Sequence, residues 1–477
     1  MRGNEGDMSQ KAEETREERP FGMRDKLGYM FGDFGNDFSF IFASSYLMVF
    51  YTKVLGLPGA AIGVLFLAAR VVDAFTDVTM GRIVDNMRPA KGGRFRPWIK
   101  WMSIPVAVTS TLMYLYFIKD WIFAWKMLYV VITYLLWGSF CYTAINIPYG
   151  SMASAISADP GERASLSTFR SVGASLASLV IGILVPLVVY TKDALGNEVV
   201  DPVRFTLTAA VFGMLSILCY GLCYGFCVER VQFEKKKHHK EGIAVLLTGL
   251  VKNRPLLSLV FAALVLLLAN LLGQTMNNYL FLDYFHDTNA LVALNLVTVG
   301  GTLLVAPFVP KISAVFGKKE AGAWGMLAAG VVYVLLFFLK IESVLTFLVL
   351  LFVATLGIGL FNMVTWAFIT DIIDYQEVTT GKREDGTVYA VYSFARKLGQ
   401  ALAGGVGGFV LTAIGYISEA PVQTVEVSER IYSISTLVPG ICYLLVFLIM
   451  QFWYPLSRRE VEKNTAILKE KREQLKH

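Results

Sequence analysis

The hydrophilic stretch ERVQFEKKKHHKEG, residues 229–242, interrupts a chain that is otherwise mostly apolar. Six long hydrophobic segments precede it and six follow it, and each approaches or exceeds the ~20 residues that an α-helix needs to cross a bilayer. The segments cover about residues 28–51, 59–84, 98–118, 125–149, 166–190 and 205–228, and then 255–284, 290–316, 321–340, 343–366, 388–416 and 431–455. We therefore predict an all-α membrane protein whose twelve transmembrane helices form two six-helix bundles.

The composition excludes a soluble enzyme. Of the 477 residues, 55% are hydrophobic and only 17% are charged, whereas ordinary globular chains carry about 25% charged residues. The mean hydropathy is +0.55. At ~20 residues each, the twelve segments use roughly half of the chain and leave short loops, two tails and one longer connection. Because no extramembrane catalytic domain fits, we expect a protein that is not an enzyme.

The order of these segments predicts five parts. They are an N-terminal tail (1–27), a first bundle (28–228), a connection (229–254), a second bundle (255–455) and a C-terminal tail (456–477). Two six-helix halves joined by a charged connection are typical of the major facilitator fold, in which the substrate site lies near the middle of the membrane between the halves.

The distribution of Lys and Arg predicts the orientation. Six lie in the N-terminal tail, six between Arg82 and Lys100, and seven between Arg230 and Arg254, whereas the alternate loops hold few. Both termini are therefore expected in the cytoplasm of a multi-pass cell-membrane protein. Since the basic residues flank apolar spans, the net charge of +6 reports topology, and we expect no nucleic-acid partner.

The cysteines and histidines give no sign of a metal centre. All five cysteines fall inside apolar stretches, where packing is the simplest interpretation. The four histidines fall in predicted loops or in the C-terminal tail. We expect no cofactor and no metal beyond a coupling ion, H+ or Na+.

The second segment carries charge where lipid would surround it. In ARVVDAFTDVTMG, residues 69–81, Arg70, Asp73 and Asp77 share one helical face. Ionisable groups inside membrane spans indicate function, and two close carboxylates resist double ionisation unless a cation compensates. Thr76 adds a hydroxyl oxygen of the kind that suits hard cations. The pattern predicts a cation site, with simple helix packing as the alternative.

Other polar residues fall at similar depths. The first span holds GDFGNDF, residues 32–38, in which Asp37 is either a ligand or half of a structural ion pair. In the fourth span Pro148 loosens the helix near Asn146. Two adjacent cations, Arg396 and Lys397, fall at the middle of the eleventh span and demand acidic partners or an acidic substrate. Aromatic faces suited to sugars, or to packing alone, come from Tyr142, Trp366 and Tyr392.

The loop GRIVDNMRPAKGGRFRPW, residues 81–98, has a loose echo in VPKISAVFGKKEAG, residues 309–322. Its basic side chains either report topology alone or hold helix ends together in one conformation and release them in another. The candidate gating residues are Arg70, Asp85, Arg94, Arg96, Asp371, Asp374, Arg383 and Arg396.

Taken together, these motifs resemble the glycoside-pentoside-hexuronide:cation symporter family over nearly the whole chain. The most specific segments are GDFGNDF, ARVVDAFTDVTMGRIVD, GRFRPW, NIPYGS, DIIDYQEVTTGKREDG and YSFARKLGQ. The resemblance implies a secondary active symporter that works by alternating access. It assigns Asp73, Asp77 and Thr143 to the cation, and Asp37, Arg170 and Lys397 to the sugar.

The chain departs from the family's best-known member at three positions. Asn146 and Gly150 replace an aspartate and a tryptophan, which argues against galactoside recognition, and Thr76 replaces an asparagine between the cation carboxylates. The predicted cation set is thus Asp73, Asp77, Thr76 and Thr143. The predicted substrate set is Asp37, Tyr142, Asn146, Arg170, Trp366, Tyr392 and Lys397.

The main hypothesis is therefore cation-coupled import of a glycoside, pentoside or hexuronide. The expected partners are a glycoside or sugar acid, the coupling cation and the lipid bilayer, and the family resemblance implies a monomer. A lysolipid:cation symporter of the same fold is the first alternative. A multi-span enzyme or sensor is the second, and it lacks candidate site residues.

Overall fold

The computed structural model describes residues 19–87, 92–157, 159–231, 253–381, 405–418 and 422–474, together with positions 388, 392, 396, 399, 400 and 420. The first half consists of helices α1 (Met23–Val49), α2 (Gly59–Asn86), α3 (Arg96–Leu112), α4 (Phe123–Ile156), α5 (Pro160–Val189) and α6 (Pro202–Phe226). A short antiparallel hairpin, β1 (Tyr190–Lys192) and β2 (Glu198–Val200), joins α5 to α6.

The second half follows the same plan. Its helices are α7 (Arg254–Tyr284), α8 (Ala290–Phe308), α9 (Lys318–Leu339), α10 (Val344–Thr380), α11 (helical over 405–413) and α12 (Val425–Trp453). A short helix, Val309–Phe316, extends α8, and a polar helix, α13 (Arg458–Gln474), lies against α9 and α10. Among the residues that the structure describes, ten helices are long and apolar enough to cross a membrane.

Several helices begin where the sequence supplies a capping side chain. Asp159 and Asp201 each precede a proline, and their carboxylates accept hydrogen bonds from the first free backbone N–H groups of α5 and α6. Asn253 does the same for α7. Proline at the first helical position lacks only a hydrogen that would be unpaired anyway. Such caps stabilise a helix by about 1 kcal/mol, so the sequence fixes these starts locally.

Helix α1 contains three aspartates, Asp25, Asp33 and Asp37, and is largely buried against other helices. It lies against α5 and α6, and its glycines let α6 approach closely. A Cβ atom at Gly32 would lie 2.8 Å from the Sγ of Cys223, and one at Gly35 would lie 3.1 Å from the Cβ of Cys219. The cysteines repeat every four residues because they form the buried face of α6 that fills this glycine stripe.

The two halves meet closely at the end of the bundle opposite Asp25, Arg230 and Arg254, which we call the far side. There α2 crosses α11 with backbone against backbone. A Cβ atom at Gly59 would lie 2.7 Å from the carbonyl oxygen of Gly408, and one at Gly63 would lie 2.7 Å from that of Gly405. Small residues allow such close crossings in membranes. The crossing therefore closes the far side in this conformation.

This crossing makes a first prediction. We expect Gly63→Ala to lower the transport rate roughly tenfold, because overpacking costs about 1–3 kcal/mol and here it opposes only the conformation closed on the far side. The matched control is Gly81→Ala on the same helix, where an added Cβ atom meets nothing within 4 Å. Equal uptake rates for the two variants in membrane vesicles would show that the crossing does not limit transport.

Candidate cation and substrate sites

Two carboxylates of α2 face two hydroxyls of α4. The hydroxyl of Ser139 donates a hydrogen bond to Asp73 at 2.5 Å, and the hydroxyl of Thr143 donates one to Asp77 at 2.9 Å. Both pairs are 66 residues apart, because the helices run in the same direction and each presents residues spaced four apart. The result is a ladder of two carboxylate–hydroxyl rungs, which we call the α2–α4 ladder.

A local irregularity in α4 positions these hydroxyls. Residues Leu136–Tyr142 form a π-helical turn that contains Ser139 and ends just before Thr143. The Thr143 hydroxyl also lies 3.2 Å from the carbonyl oxygen of Gly138, five residues earlier. π-helical turns widen a helix and recur at functional sites. Here the turn sets the register between the two hydroxyls and the carboxylates of α2.

Charge and oxygen atoms are concentrated around this ladder. Arg70 lies 3.4 Å from Asp73, and both side chains are partly buried. The Thr76 hydroxyl donates within its own helix, to the carbonyl oxygens of Val72 or Asp73. The oxygen atoms of the ladder are of the type that binds hard cations such as Na+.

A second polar cluster joins α1 to α5. The guanidinium Nε of Arg170 donates to Asp33 at 2.8 Å, and the guanidinium also lies over the ring of Tyr149, 5.3 Å from its centroid. Tyr149 in turn stacks on Tyr29 at 4.7 Å. Arg170 is therefore held by a carboxylate and an aromatic face together.

Asp37 lies one helical turn beyond Asp33 and is half-buried. No residue that the structure describes donates a hydrogen bond to its carboxylate. Nearby, Tyr142 packs between Phe40 and Trp137, with centroid distances of 5.6 and 5.4 Å. A half-buried carboxylate beside aromatic rings has the features of a sugar site, since its oxygens can accept hydrogen bonds from hydroxyls while the rings stack on the sugar.

The second half contributes a cavity of about 280 Å³. Two predicted site residues of span eleven, Tyr392 and Arg396, line it together with α7 and α10. Asn270 of α7 also lines the cavity, and its Oδ1 accepts a hydrogen bond from Tyr443 at 3.2 Å. The described residues that line it are Leu259, Ala263, Leu266, Leu267, Asn270, Phe361, Asn362, Thr365, Tyr392 and Arg396.

The far side carries a buried ion pair between the halves. Lys53, in the π-helical turn that ends α1, lies 3.1 Å from Asp283, in the π-helical turn that ends α7. The Lys53 side chain is 8% exposed and the Asp283 side chain 3%. Tyr416 donates to the second oxygen of Asp283 at 2.9 Å. This network ties the two halves together.

The chain is similar to known transport proteins over most of its length. The model of a family described as MFS/sugar transport protein matches residues 28–458. The chain belongs to this family. Its members are transporters of the major facilitator superfamily, so the predictions of fold, of a multi-pass membrane transporter and of a protein that is not an enzyme are confirmed. The resemblance to glycoside-pentoside-hexuronide:cation symporters is confirmed as well.

Two relatives and one solved structure are similar to this chain over most of its length. The glucuronide carrier protein homolog of Escherichia coli (strain K12) is 34% identical over 439 residues, which cover 92% of this chain and 93% of the relative. A putative glycoside/cation symporter of the same organism is 31% identical, with 92% and 93% covered. The inward-open xylose transporter of E. coli superposes with a TM-score of 0.63 at 11% identity, over 93% of this chain and 98% of that one. The last likeness concerns the fold alone.

Three of the predicted gating residues, Arg94, Arg96 and Asp371, contact residues near the same ends of their own halves. The Glu229 carboxylate accepts hydrogen bonds from the backbone N–H groups of Arg94 and Arg96 at 2.7 and 2.6 Å, and so caps α3. Asp371 pairs with Lys318 at 2.6 Å, which joins α10 to α9. These contacts brace the helix ends opposite the far side.

Some predicted site residues fall outside the part of the chain that the structure describes. Lys397 and Arg383 lie outside the described residues, and so do the side chains of Trp366 and Asp85. Asn146 is half-buried on α4, one turn beyond Tyr142, and Asp374 is half-buried on α10. Their roles, like those of the other site residues, stay predictions.

The structure adds residues that the sequence did not single out for these sites, among them Asp33, Ser139 and Asp283. Asp33 takes the ion pair with Arg170, Ser139 completes the α2–α4 ladder, and Asp283 pairs with Lys53. A signal existed for two of them. Asp33 precedes Asp37 by four residues in GDFGNDF, and Ser139 precedes Thr143 by four, so each shares a helical face with a residue that was predicted.

Proposed function

We propose that the protein imports a glycoside or sugar acid together with a cation, by alternating access between its two halves. The observation that carries this proposal is the α2–α4 ladder. In it, each of two intramembrane carboxylates accepts a hydrogen bond from one hydroxyl group. Such a cluster is costly in a membrane unless it binds a cation. The glucuronide carrier homolog and the putative glycoside/cation symporter support the same class of substrate and coupling.

In this proposal the ladder takes Na+ or a proton, and the four oxygen-bearing side chains favour Na+. Asp37, Tyr142 and Asn146 bind the sugar from the first half. The excess of Lys and Arg in the tails and in the connection supports cytoplasmic termini in the cell membrane. The far side, closed in this conformation, then faces outward, and its opening admits substrate and cation.

Coupling follows from charge. With both ladder carboxylates ionised and no cation bound, the reorientation that carries them through a closed state is opposed by desolvation and mutual repulsion. A bound cation removes this cost, and substrate binding stabilises the same closed intermediate. Each ligand therefore favours the binding of the other, which is the thermodynamic content of symport.

The direct test is uptake into right-side-out vesicles of labelled methyl glucuronide and methyl xyloside, with an imposed pH gradient and, separately, a Na+ gradient. Accumulation of either sugar above its external concentration, driven by either gradient, is the expected result. If neither sugar accumulates under either gradient, sugar symport is the wrong function, and a lysolipid substrate becomes the next one to test.

The ladder makes a prediction of its own. We expect Ser139→Ala to raise the Na+ concentration for half-maximal uptake about 2- to 10-fold, because it removes one oxygen and one hydrogen bond worth about 0.5–1.5 kcal/mol. Ser151→Ala is the matched control on the same helix. Ser151 is exposed, and its hydroxyl donates a hydrogen bond to the backbone carbonyl oxygen of Ile147 in that helix. Identical Na+ dependence in the two variants would remove Ser139 from the site.

A further inference from the structure

The cavity of the second half is amphipathic in a way that points to a particular chemical group. Its apolar lining consists of Ala263 and leucines of α7 and of Phe361 of α10. Its polar lining consists of Asn270, Asn362, Thr365 and Arg396. Ligand pockets of drug-sized molecules run from about 300 to 1,000 Å³, so a cavity of about 280 Å³ suits one sugar ring or its substituent better than a lipid chain.

The polar side chains that line this cavity supply hydrogen-bond donors. Arg396 supplies a guanidinium group, and the exposed side chain of Asn362 supplies an amide. The carbonyl oxygen of Asn270 already accepts from Tyr443, which leaves the Asn270 NH2 group as the donor toward a ligand. The described residues that line the cavity include one cation and no carboxylate. Guanidinium and amide N–H groups are donors of the kind that bind carboxylates and other anions.

The first half has the opposite electrostatic character. Its described intramembrane groups near the two clusters are four carboxylates, Asp33, Asp37, Asp73 and Asp77, against the guanidinium groups of Arg70 and Arg170. Arg70 lies 3.4 Å from Asp73, and Arg170 lies 2.8 Å from Asp33. Four carboxylates against two guanidinium groups make the first half less favourable for a negatively charged group than the described lining of the cavity in the second half, which holds no carboxylate.

Together these observations assign an orientation to the substrate. We propose that the cavity lined by Asn270, Asn362 and Arg396 is a subsite for the anionic group of a sugar acid, while the sugar hydroxyls face Asp37 in the first half. This inference rests on the proposed function and narrows it from glycosides in general to anionic ones. A ligand that spans both halves would also draw them together, as alternating access requires.

The experiment compares two sugars that differ only at C6, methyl β-D-glucuronide and methyl β-D-glucoside, as competitors of labelled glucuronide binding to the purified full-length protein. In the wild-type protein we expect the glucuronide to bind more tightly. In Arg396→Gln we expect the glucuronide-to-glucoside affinity ratio to fall roughly 10- to 100-fold, since hydrogen bonds to charged groups are worth about 1.5–3 kcal/mol. Glucoside affinity should be nearly unchanged. Arg204→Gln, an exposed arginine at the start of α6, is the control.

The outcomes separate the two proposals. If the wild-type protein binds neither sugar but accumulates methyl xyloside in vesicles, the anion subsite fails and sugar symport stands; if it accumulates no sugar at all, the proposed function itself fails. If it binds both and Arg396→Gln leaves their ratio unchanged, only the anion subsite is overturned. Should Arg396→Gln unfold, as judged by thermal stability in detergent, Arg396→Lys decides, because it keeps the charge but loses the planar fork. A loss confined to the glucuronide supports the subsite, and an equal loss for both sugars overturns it.

Discussion

Replacement of Asp73 by asparagine is expected to abolish concentrative uptake while leaving substrate exchange measurable. The variant keeps the size of the side chain, and its amide oxygen can still accept the hydrogen bond that Ser139 donates at 2.5 Å. What it removes is one negative charge from the α2–α4 ladder. Without that charge the site no longer needs a cation to complete the cycle, so the cation gradient no longer drives the substrate.

The expected size of this effect is large. An uncompensated buried charge costs about 3–5 kcal/mol, which corresponds to a factor of roughly 10² to 4 × 10³ in an equilibrium constant. The wild-type protein uses this cost to prevent the carboxylate pair from reorienting without a cation. In Asp73→Asn the barrier to reorientation without a cation falls by an amount of that order, and the accumulation ratio should approach one.

Two measurements check this prediction. Steady-state accumulation of labelled substrate is compared with the rate of exchange in vesicles that are loaded with unlabelled substrate. Asp120→Asn, an exposed loop position, controls for expression and insertion. Uptake against a gradient that persists in Asp73→Asn, at the level of the Asp120→Asn control, would show that the ladder is not the coupling site.

The helices themselves were predictable because a bilayer imposes one length and one composition on every span. The predicted starts of α2, α7 and α8, at residues 59, 255 and 290, agree with the structure to within one residue. Among the helix ends that the structure describes, the largest difference is at α10, which was predicted to end near residue 366 but is helical to Thr380. Hydropathy locates the edge of the apolar region and not the end of the helix. Asp371 pairs with Lys318, and Ile372 is buried, so packing extends α10 beyond that edge.

The site could be predicted only in part, for a related reason. The face shared by Arg70, Asp73 and Asp77 follows from helical spacing alone. The hydrogen bonds from Ser139 and Thr143 also depend on how α2 lies beside α4 and on the π-helical turn Leu136–Tyr142. The spacing of apolar and polar residues in the sequence predicts neither feature. The pairing of Arg170 with Asp33 depends likewise on the contact between α1 and α5.

The ion pair between Lys53 and Asp283 shows what the duplication of the halves adds. Helices α1 and α7 are equivalent in the two bundles, and each ends in a five-residue π-helical turn, Phe50–Val54 and Leu280–Tyr284. The two charged residues occupy the fourth position of these turns. Opposite charges at equivalent positions meet where the two halves face each other, so one pair can latch the halves on the far side.

Breaking this latch is expected to impair transport strongly. Lys53→Met leaves Asp283, 3% exposed, without its cation, and an unpaired buried charge costs about 3–5 kcal/mol. Because the cost falls on the conformation that is closed on the far side, we expect the uptake rate to fall at least about tenfold. The double variant Lys53→Met/Asp283→Leu removes both charges and should recover much of that loss, since a buried pair replaced by apolar groups is often tolerated.

Two controls distinguish a latch from a general defect. Lys340→Met breaks an ion pair with Glu429 near the same end of the second bundle, but those side chains are 60% and 52% exposed, and exposed pairs contribute at most about 1 kcal/mol. Near wild-type uptake is expected there. The second control adds Ser45→Cys to the wild-type protein and to Lys53→Met. Ser45 accepts a hydrogen bond from Gln274 across the interface at 2.7 Å. We expect the cysteine to react faster with an impermeant maleimide in the Lys53→Met background. If its reactivity is unchanged while uptake falls, or if the double variant is no more active than the single one, the pair does not hold the far side closed.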